Sequence, residues 1–497
     1  MSGLDLPEIV NASDVPAYSD TVDVLVIGAG IGGCCAAVEA AAAGASVLVL
    51  ERSAAAGGTT CMAGGHFYLG GGTAVQVATG HPDSAEEMAK YITAVSLEPE
   101  PEKIKAYCDD SVEHFDWLES LGFQFERSYY PEKAVIQPQT QGLMYTGNEK
   151  VWPFSEMAVP APRGHKVPKP GDTGGAGMVI ELLVKRLGEQ GVPIRYEVGA
   201  RKLVVEEIDG RRVVVGAYWK AGADEGYIRA SSVVIAAGGF VMNPDMVAEY
   251  VPQLAEKPFT LGSTYDDGLG IRMGASVGAD LKHMDQAFIT APVYPPSILL
   301  TGIIVNKEGK RFVAEDSYHS RTSGFVMDQT DRAAYLIVDE AHMQRPDFPL
   351  APFIDGWETV EEMADGLGLD RETLAATLNR YNEHAAVGED PDFHKSAEFL
   401  AAQDTGPWAA FDMTLGKALY AGFTVGGMAT SVDGQVLTAD GEAIPGLYAA
   451  GACAANLAQD GKGYASGTQL GEGSYFGRRV GRHAASSVRE PGGVTYQ

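Results

Sequence analysis

The stretch from Val22 to Arg52, VDVLVIGAGIGGCCAAVEAAAAGASVLVLER, constrains the fold more than any other part of the chain. Val24 to Ile27 is an apolar run of the kind buried in a parallel strand. Gly28, Gly30 and Gly33 follow in the spacing G-x-G-x-x-G. A small-residue helix is predicted over Ile31 to Ala43, ended by Gly44, and a second apolar run from Ser46 to Leu50 closes on Glu51. The three glycines supply a tight turn, room for backbone to approach a pyrophosphate, and close packing of helix on strand. The helix start offers N–H groups and the positive end of the helix dipole to phosphate. Glu51, 23 residues after Gly28, is spaced to accept both hydroxyls of an adenosine ribose, and an acid there disfavours a 2′-phosphate. Strand, turn, helix and acid together predict dinucleotide binding, with NADP disfavoured. A glycine-rich turn alone would not.

At 497 residues the chain is long enough for two or three domains. Its net charge of −29 argues against nucleic acid, whose phosphates need Lys and Arg, and against an anionic membrane surface. The five cysteines are scattered, with no C-x-x-C and no His/Cys spacing for zinc, so reduced thiols and no metal are expected. Residues 1–21 read as a polar lead-in without the basic and apolar regions of a signal peptide, and no apolar run approaches ~20 residues. The expectation is a cytoplasmic protein without an integral membrane segment.

After Glu51 comes GGTTCMAGGHFYLGGG, Gly57 to Gly72, whose glycines and threonines suit backbone wrapped around a ligand rather than core. Helices are predicted over Ser84 to Ala94, Glu102 to Leu121 and Gly174 to Gly191. Between them Tyr129 to Gly171 reads as an irregular excursion, its Tyr129, Tyr130, Tyr145, Trp152 and Phe154 expected to pack locally. Strands follow over Ile194 to Glu197, Ala200 to Glu207 and Val213 to Trp219. SVVIAAGGF, Ser232 to Phe240, then runs into a glycine pair that includes Gly238, and Asp266-Asp267-Gly268 opens another helix. Residues 282–415 change character, with strands at Gly302 to Asn306 and Ala334 to Asp339 and a helical block from Glu358 to His384. From residue 416 the chain returns to glycine-rich segments, Thr424 to Val432 and Gly446 to Ala452, and a last helix from Gly467 to Ser486.

Taken together, VLVIGAGIGGCCAAVEA, the ER-x-x-x-x-GG-T-T segment, VVIAAGGF, DDGLGI, GKRFVAE, YNEHAAVGEDPDF and IPGLYAAGA resemble the flavoproteins of the fumarate reductase/succinate dehydrogenase superfamily, in that order along nearly the whole chain. The resemblance implies an α/β fold: a Rossmann-like FAD-binding domain built from both chain ends (residues 1–281 and 416–497) with an inserted α+β catalytic domain, residues 282–415. It implies that Gly28, Gly30 and Gly33 hold the pyrophosphate of FAD, Glu51 its ribose, and Thr59, Thr60, Gly64 and Gly65 its flavin side. Gly238 and Asp267 would complete the cofactor site, and Gly451 with the Gln469–Leu470 segment would close over the isoalloxazine. Members with covalent flavin carry a His before the second glycine pair. Here that region reads GGTTCMA, and His66 follows the glycines, so non-covalent FAD is implied and His66 is an ordinary polar contact.

Superfamily chemistry inserts or removes a carbon–carbon double bond beside an activating carbonyl, with the hard redox step left to the cofactor. Dicarboxylate members carry E-x-x-x-R. Here Arg321 comes two residues late after Glu315, which counts against fumarate, and Arg321 is expected to pair with Glu315 or Asp316. Tyr318, three residues after Glu315, resembles the 3-ketosteroid dehydrogenases, and Tyr464-Ala465-Ser466 resembles the 3-ketosteroid Δ4-(5α)-dehydrogenases among them. That resemblance implies a small apolar substrate, a 5α-3-ketosteroid, with Tyr464 donating to its carbonyl, Ser466 taking the carbon 4 proton, and Tyr318 (with His319 as the competing choice) relaying it. Phe288, Ile298, Leu299, Leu300 and Phe353 are candidates to line the pocket, with core packing the default for each. A Δ1-ketosteroid dehydrogenase and a fumarate reductase-like ene-reductase remain the alternatives within the superfamily. A non-catalytic flavin-binding protein is the alternative outside it.

Overall fold

The computed structural model describes residues 5–487, apart from 135–136, 138, 172, 256–258, 291 and 293–295. Its main sheet is organised by the strand Asp20–Ile27, buried from Val24 onward. This strand pairs in parallel with Val47–Leu50 on one side and Asp224–Ile235 on the other. Ile194–Arg195 adds beyond Val47–Leu50, and Ala443–Ala449, from the far end of the chain, adds beyond Asp224–Ile235. The registers Ile27↔Leu50, Ile27↔Ile235 and Ala449↔Ile235 bring four strand ends to one level. Gly28, Glu51, Ala236 and Ala450 therefore open onto the same crevice, where ligands bind in open parallel sheets. Long antiparallel strands, Gly199–Ile208 and Arg211–Ala221, extend the sheet from Asp224–Ile235.

Small residues bring two helices against each other on one face of this sheet. A Cβ at Gly477 would stand 2.5 Å from the carbonyl oxygen of Gly32, and one at Gly481 2.2 Å from that of Ala36, so Thr468–Ser486 rests backbone to backbone on Ile31–Ala42. The buried Arg478 locks the contact through Glu39 (2.9 Å) and Glu113 (2.9 Å).

A second sheet orders Ile303–Asn306, Ala334–Asp339, Trp408–Asp412 and Phe353–Trp357, all antiparallel. Ile303, Val305 and Ile337 pack with Met363, Leu374 and Leu378 from the helices Val360–Leu367 and Arg371–Val387. Beneath it Arg311 is clamped by Glu315 (2.8 Å) and Asp390 (2.9 Å), all three side chains at most 4% exposed.

Three expectations change. The run from Glu102 to Leu121 is two helices, Pro101–Asp109 and Ser111–Ser120, broken at Asp110. The block from Glu358 to His384 is likewise two, because Gly368 adopts the left-handed conformation (φ 69°) and ends the first. The Gly57–Gly72 stretch is not wrapping loop throughout. His66–Tyr68 is a strand paired with Gly164–Lys166, and Phe67 and Leu69 are fully buried, because three apolar side chains between glycines have the main core to enter. Tyr129 and Tyr145 meet edge to face, the local role expected of them, whereas Phe154 packs edge-on to Tyr91 and Trp152 stacks on His394 (ring centroids 4.3 Å apart), partners outside the stretch. No helix among the described residues is long and apolar enough to cross a membrane. All five cysteines are free thiols, and no cluster of His, Cys, Asp and Glu suited to a metal occurs among the described residues.

Candidate active site

A cavity of about 500 Å³ runs along the strand ends. At its nucleotide end Gly28 takes φ +104° with a Cβ position only 2.3 Å from the carbonyl oxygen of Ala236, so the tight turn admits no side chain. Gly30 faces the cavity, the nearest atom to an added Cβ being Thr60 Oγ1 at 3.5 Å. Gly33 does not line the cavity. Its Cβ would lie 2.0 Å from the Gly28 carbonyl oxygen, so it packs helix on strand rather than touching a pyrophosphate. Glu51 is buried at the floor, where its carboxylate accepts from the backbone N–H groups of Ala29 (2.8 Å) and Ser53 (2.7 Å).

Thr60 Oγ1 accepts from Ile31 N–H (3.1 Å) and so ties the threonine segment to the helix start. Thr59 Oγ1 donates to Asp266 and accepts from Ser263 N–H. Burial pushes the Asp266 carboxyl up to about 6, against the lowering pull of Thr59. Asp267 also lines the cavity, but its carboxylate pairs with Arg52 (2.6 Å) and caps the helix Leu269–Ser276 at Leu269 N–H (3.0 Å). Gly64, Gly65, Gly238, Gly451, Gln469 and Leu470 complete the lining as expected. These residues fit FAD: at Gly30 and Gly451 the wall is bare backbone, and no atom lies within 3.4 Å of where a Cβ would project, space that a side chain would take from a bound cofactor.

The other end of the cavity is apolar, with Leu261, Phe288, Phe348, Leu350 and Phe423 around Tyr464 and Ser466. Tyr464 is wedged between Phe288 (ring centroids 4.8 Å apart) and Phe423 (5.7 Å). Its oxygen accepts from Gln469 N–H (3.4 Å), which leaves the phenol hydrogen to turn into the cavity, and burial raises its pKa further. Ser466 does not cap the last helix. That position falls to Gly467 at φ +98°, whose Cβ would lie 2.8 Å from Tyr68 N. Ser466 is held by its own N–H to the Thr146 carbonyl (2.8 Å), and its hydroxyl meets the Tyr318 hydroxyl at 2.5 Å. Tyr318 is outside the cavity lining and reaches it through Ser466.

His319 lies edge-on to Phe288, and burial together with the Lys133 ammonium pushes its pKa down to about 3, so it is neutral near pH 7. Arg321 does not pair with Glu315 or Asp316. Glu315 is taken by Arg311 and Lys395, and Arg321 lies over the rings of Phe154 (4.9 Å) and Phe325 (5.1 Å). Of the suggested pocket residues only Phe288 lines the cavity. Leu299 and Leu300 are core in the turn Ser297–Thr301, and Phe353 is half exposed against Phe411. His66 lines the cavity with Nε2 3.4 Å from Gln137 Oε1, a polar contact as expected.

A family model for the FAD binding domain matches residues 23–471, and the chain belongs to this family of FAD-binding flavoproteins. The crystal structure of a 3-ketosteroid-Δ4-(5α)-dehydrogenase from Rhodococcus jostii RHA1 in complex with 4-androstene-3,17-dione is similar over 96% of this chain and 99% of that one, at 40% identity and a TM-score of 0.90. Urocanate reductase of Eggerthella lenta is 28% identical over 83% of this chain and 66% of its own. The 3-oxo-5-alpha-steroid 4-dehydrogenase of Comamonas testosteroni is 27% identical over 70% and 77%. The chain spans about two thirds of the length of the urocanate reductase it matches.

Proposed function

We propose that this flavoprotein introduces the carbon 4–carbon 5 double bond into 5α-3-ketosteroids. The observation that carries the reading is the Tyr318–Ser466 hydroxyl pair (2.5 Å) beside the buried Tyr464 phenol in an apolar cavity. The similarity to the Rhodococcus steroid dehydrogenase over 99% of its length supports it. The fold reading that accompanies it is a Rossmann-like cofactor domain from residues 1–281 and 416–497, with residues 282–415 as the inserted catalytic domain.

Bound FAD supplies the hydride acceptor. The protein moves the proton. Tyr464, protonated at neutral pH, donates to the substrate's carbon 3 carbonyl and stabilises the oxyanion that develops as the carbon 4 proton leaves, the kind of preorganised donor worth about 10²–10³ in rate. A serine hydroxyl is a weak base on its own. It takes the carbon 4 proton only as it passes its own hydrogen to Tyr318, at hydrogen-bond distance, and Tyr318 in the same relay releases its phenol hydrogen toward solvent. The apolar walls exclude water and seat a fused-ring hydrocarbon. Arg321, facing aromatic rings, offers no bidentate carboxylate site, which weighs against the dicarboxylate alternative. The FAD is held without a covalent bond, and acid precipitation should release all of it. The electron acceptor is external.

The test is anaerobic mixing of the yellow protein with a 5α-3-ketosteroid, a 4-ene-3-ketosteroid and succinate in turn. Bleaching by the first alone, with 4-ene-3-one product, supports the reading, and Ser466→Ala and Tyr464→Phe should then abolish it. Bleaching by either of the others, and not by the first, overturns it.

A further inference from the structure

Tyr318 and Ser466 lie 148 positions apart, and a 2.5 Å hydrogen bond between two hydroxyls on separate segments needs something to hold the segments in register. The turn Thr146–Glu149, in the irregular stretch that sequence reasoning gave no function, touches both. The Asn148 side chain is fully buried. Its Oδ1 accepts from the Tyr318 backbone N–H (2.9 Å), and its Nδ2 donates to the carbonyl of Lys462 (3.3 Å), in the loop that leads to Tyr464 and Ser466. Two residues earlier, the Thr146 carbonyl accepts from Ser466 N–H (2.8 Å). Between them Gly147 lies so close that a Cβ would stand 2.8 Å from that of Ala465, the residue between the two catalytic candidates.

The turn is itself braced. Asn148 N–H donates to Tyr91 Oη (2.8 Å), and the Glu149 carboxylate accepts from Gly147 N–H (3.0 Å) and Tyr68 Oη (3.0 Å). A buried carboxamide that makes one bond to each segment is a strut, and it carries no charge to disturb a proton passing between the two hydroxyls. Reactive geometry of this kind tolerates little error, since a misplacement of about 1 Å can cost about 10²-fold in rate.

We propose that Asn148 is a positioning residue that sets the Tyr318–Ser466 contact by clamping the backbone of the Tyr318 segment to the loop carrying Ser466. The proposal rests on the steroid dehydrogenase reading above. It requires that Asn148 act through Tyr318, so its effect must vanish when the Tyr318 hydroxyl is already gone.

The experiment is a double-mutant cycle on the FAD-loaded enzyme, with flavin reduction by a 5α-3-ketosteroid followed anaerobically. Asn148→Ala should slow reduction about 100-fold, with FAD retained and the steroid dissociation constant within about threefold of wild type. Tyr318→Phe should slow it at least as much, and adding Asn148→Ala to Tyr318→Phe should cost less than a further twofold. Asn148→Asp gives a second readout. As pH falls, its protonated carboxyl can both donate to Lys462 O and accept from Tyr318 N–H, so its rate relative to wild type should rise. Multiplicative losses in the double variant, or an Asn148→Asp rate that stays as low as that of Asn148→Ala at every pH, overturn the clamp while leaving the steroid reading intact. If wild type itself is not bleached by the steroid, the functional reading fails and the clamp falls with it.

Discussion

The two ends of the cavity are built by opposite strategies. At the nucleotide end, residues 24–60 supply strand, turn, helix, buried acid and threonines in one continuous run, and contacts such as Ala29 N–H to Glu51 and Ile31 N–H to Thr60 close within it. At the apolar end, Phe288, Phe423, the Tyr464–Ser466 loop and Tyr318 behind Ser466 come from four separate segments, and their geometry depends on contacts as distant as Asn148 to Tyr318. A local motif carries its geometry with it. An assembled site carries none until the whole chain is folded. Cofactor binding should therefore fail through local steric damage, and chemistry through loss of distant alignment with the flavin still in place.

The sharpest way to break this contrast is Gly33→Ala. The new methyl must displace the Gly28 carbonyl, 2.0 Å away. Overpacking of backbone costs about 1–3 kcal/mol or more, and the protein should purify colourless. A yellow, active variant would mean that the cradle is not locally determined. Tyr318→Phe comes next. It should keep its full flavin content and lose about 10²–10⁴ in the rate of flavin reduction, the span of an acid–base group. Flavin loss there would erase the division between the two ends.

Glu51→Ala removes a carboxylate that the reading gives to the ribose. A charge-assisted hydrogen bond is worth about 1.5–3 kcal/mol, so FAD affinity by fluorescence titration should fall roughly 10- to 100-fold, with the reduction rate of the loaded fraction unchanged. The smallest effect belongs to Asp266. Its carboxyl sits at about 6 in the flavin-free fold against an ordinary value of 3.8, so the fold binds that proton more tightly than the unfolded chain does. The contribution is present below about pH 4 and is lost as pH rises toward 6, by at most about 3 kcal/mol. Asp266→Asn should remove that downward slope from urea-unfolding midpoints of the flavin-free protein, and a parallel pH profile would refute the assignment.

What could be read in advance follows the same divide. The glycine spacing and its flanking strands were legible because their meaning is set by near neighbours. Tyr318, Tyr464 and Ser466 were reached through family resemblance alone, since no spacing announces a pair that only the folded chain brings together. Asp266 and Asp267 are adjacent and chemically alike, and only the path of the backbone decides which meets Thr59 and which meets Arg52. The apolar run Ile298–Leu300 could not be told from pocket lining because hydrophobicity does not say which apolar space a side chain enters. Asn148 had no signal of its own, being one amide in a stretch without periodicity.

The strand Ala443–Ala449 and the lining residues Ala450 to Leu470 have a consequence for biosynthesis. The glycine turn leaves the ribosome early, yet the wall that faces it emerges only after more than four hundred further residues. A chain that stops short of that wall presents only part of the cofactor cleft. A product truncated before the last helix should leave the ribosome without flavin, rather than survive as a partly active flavoprotein able to leak electrons.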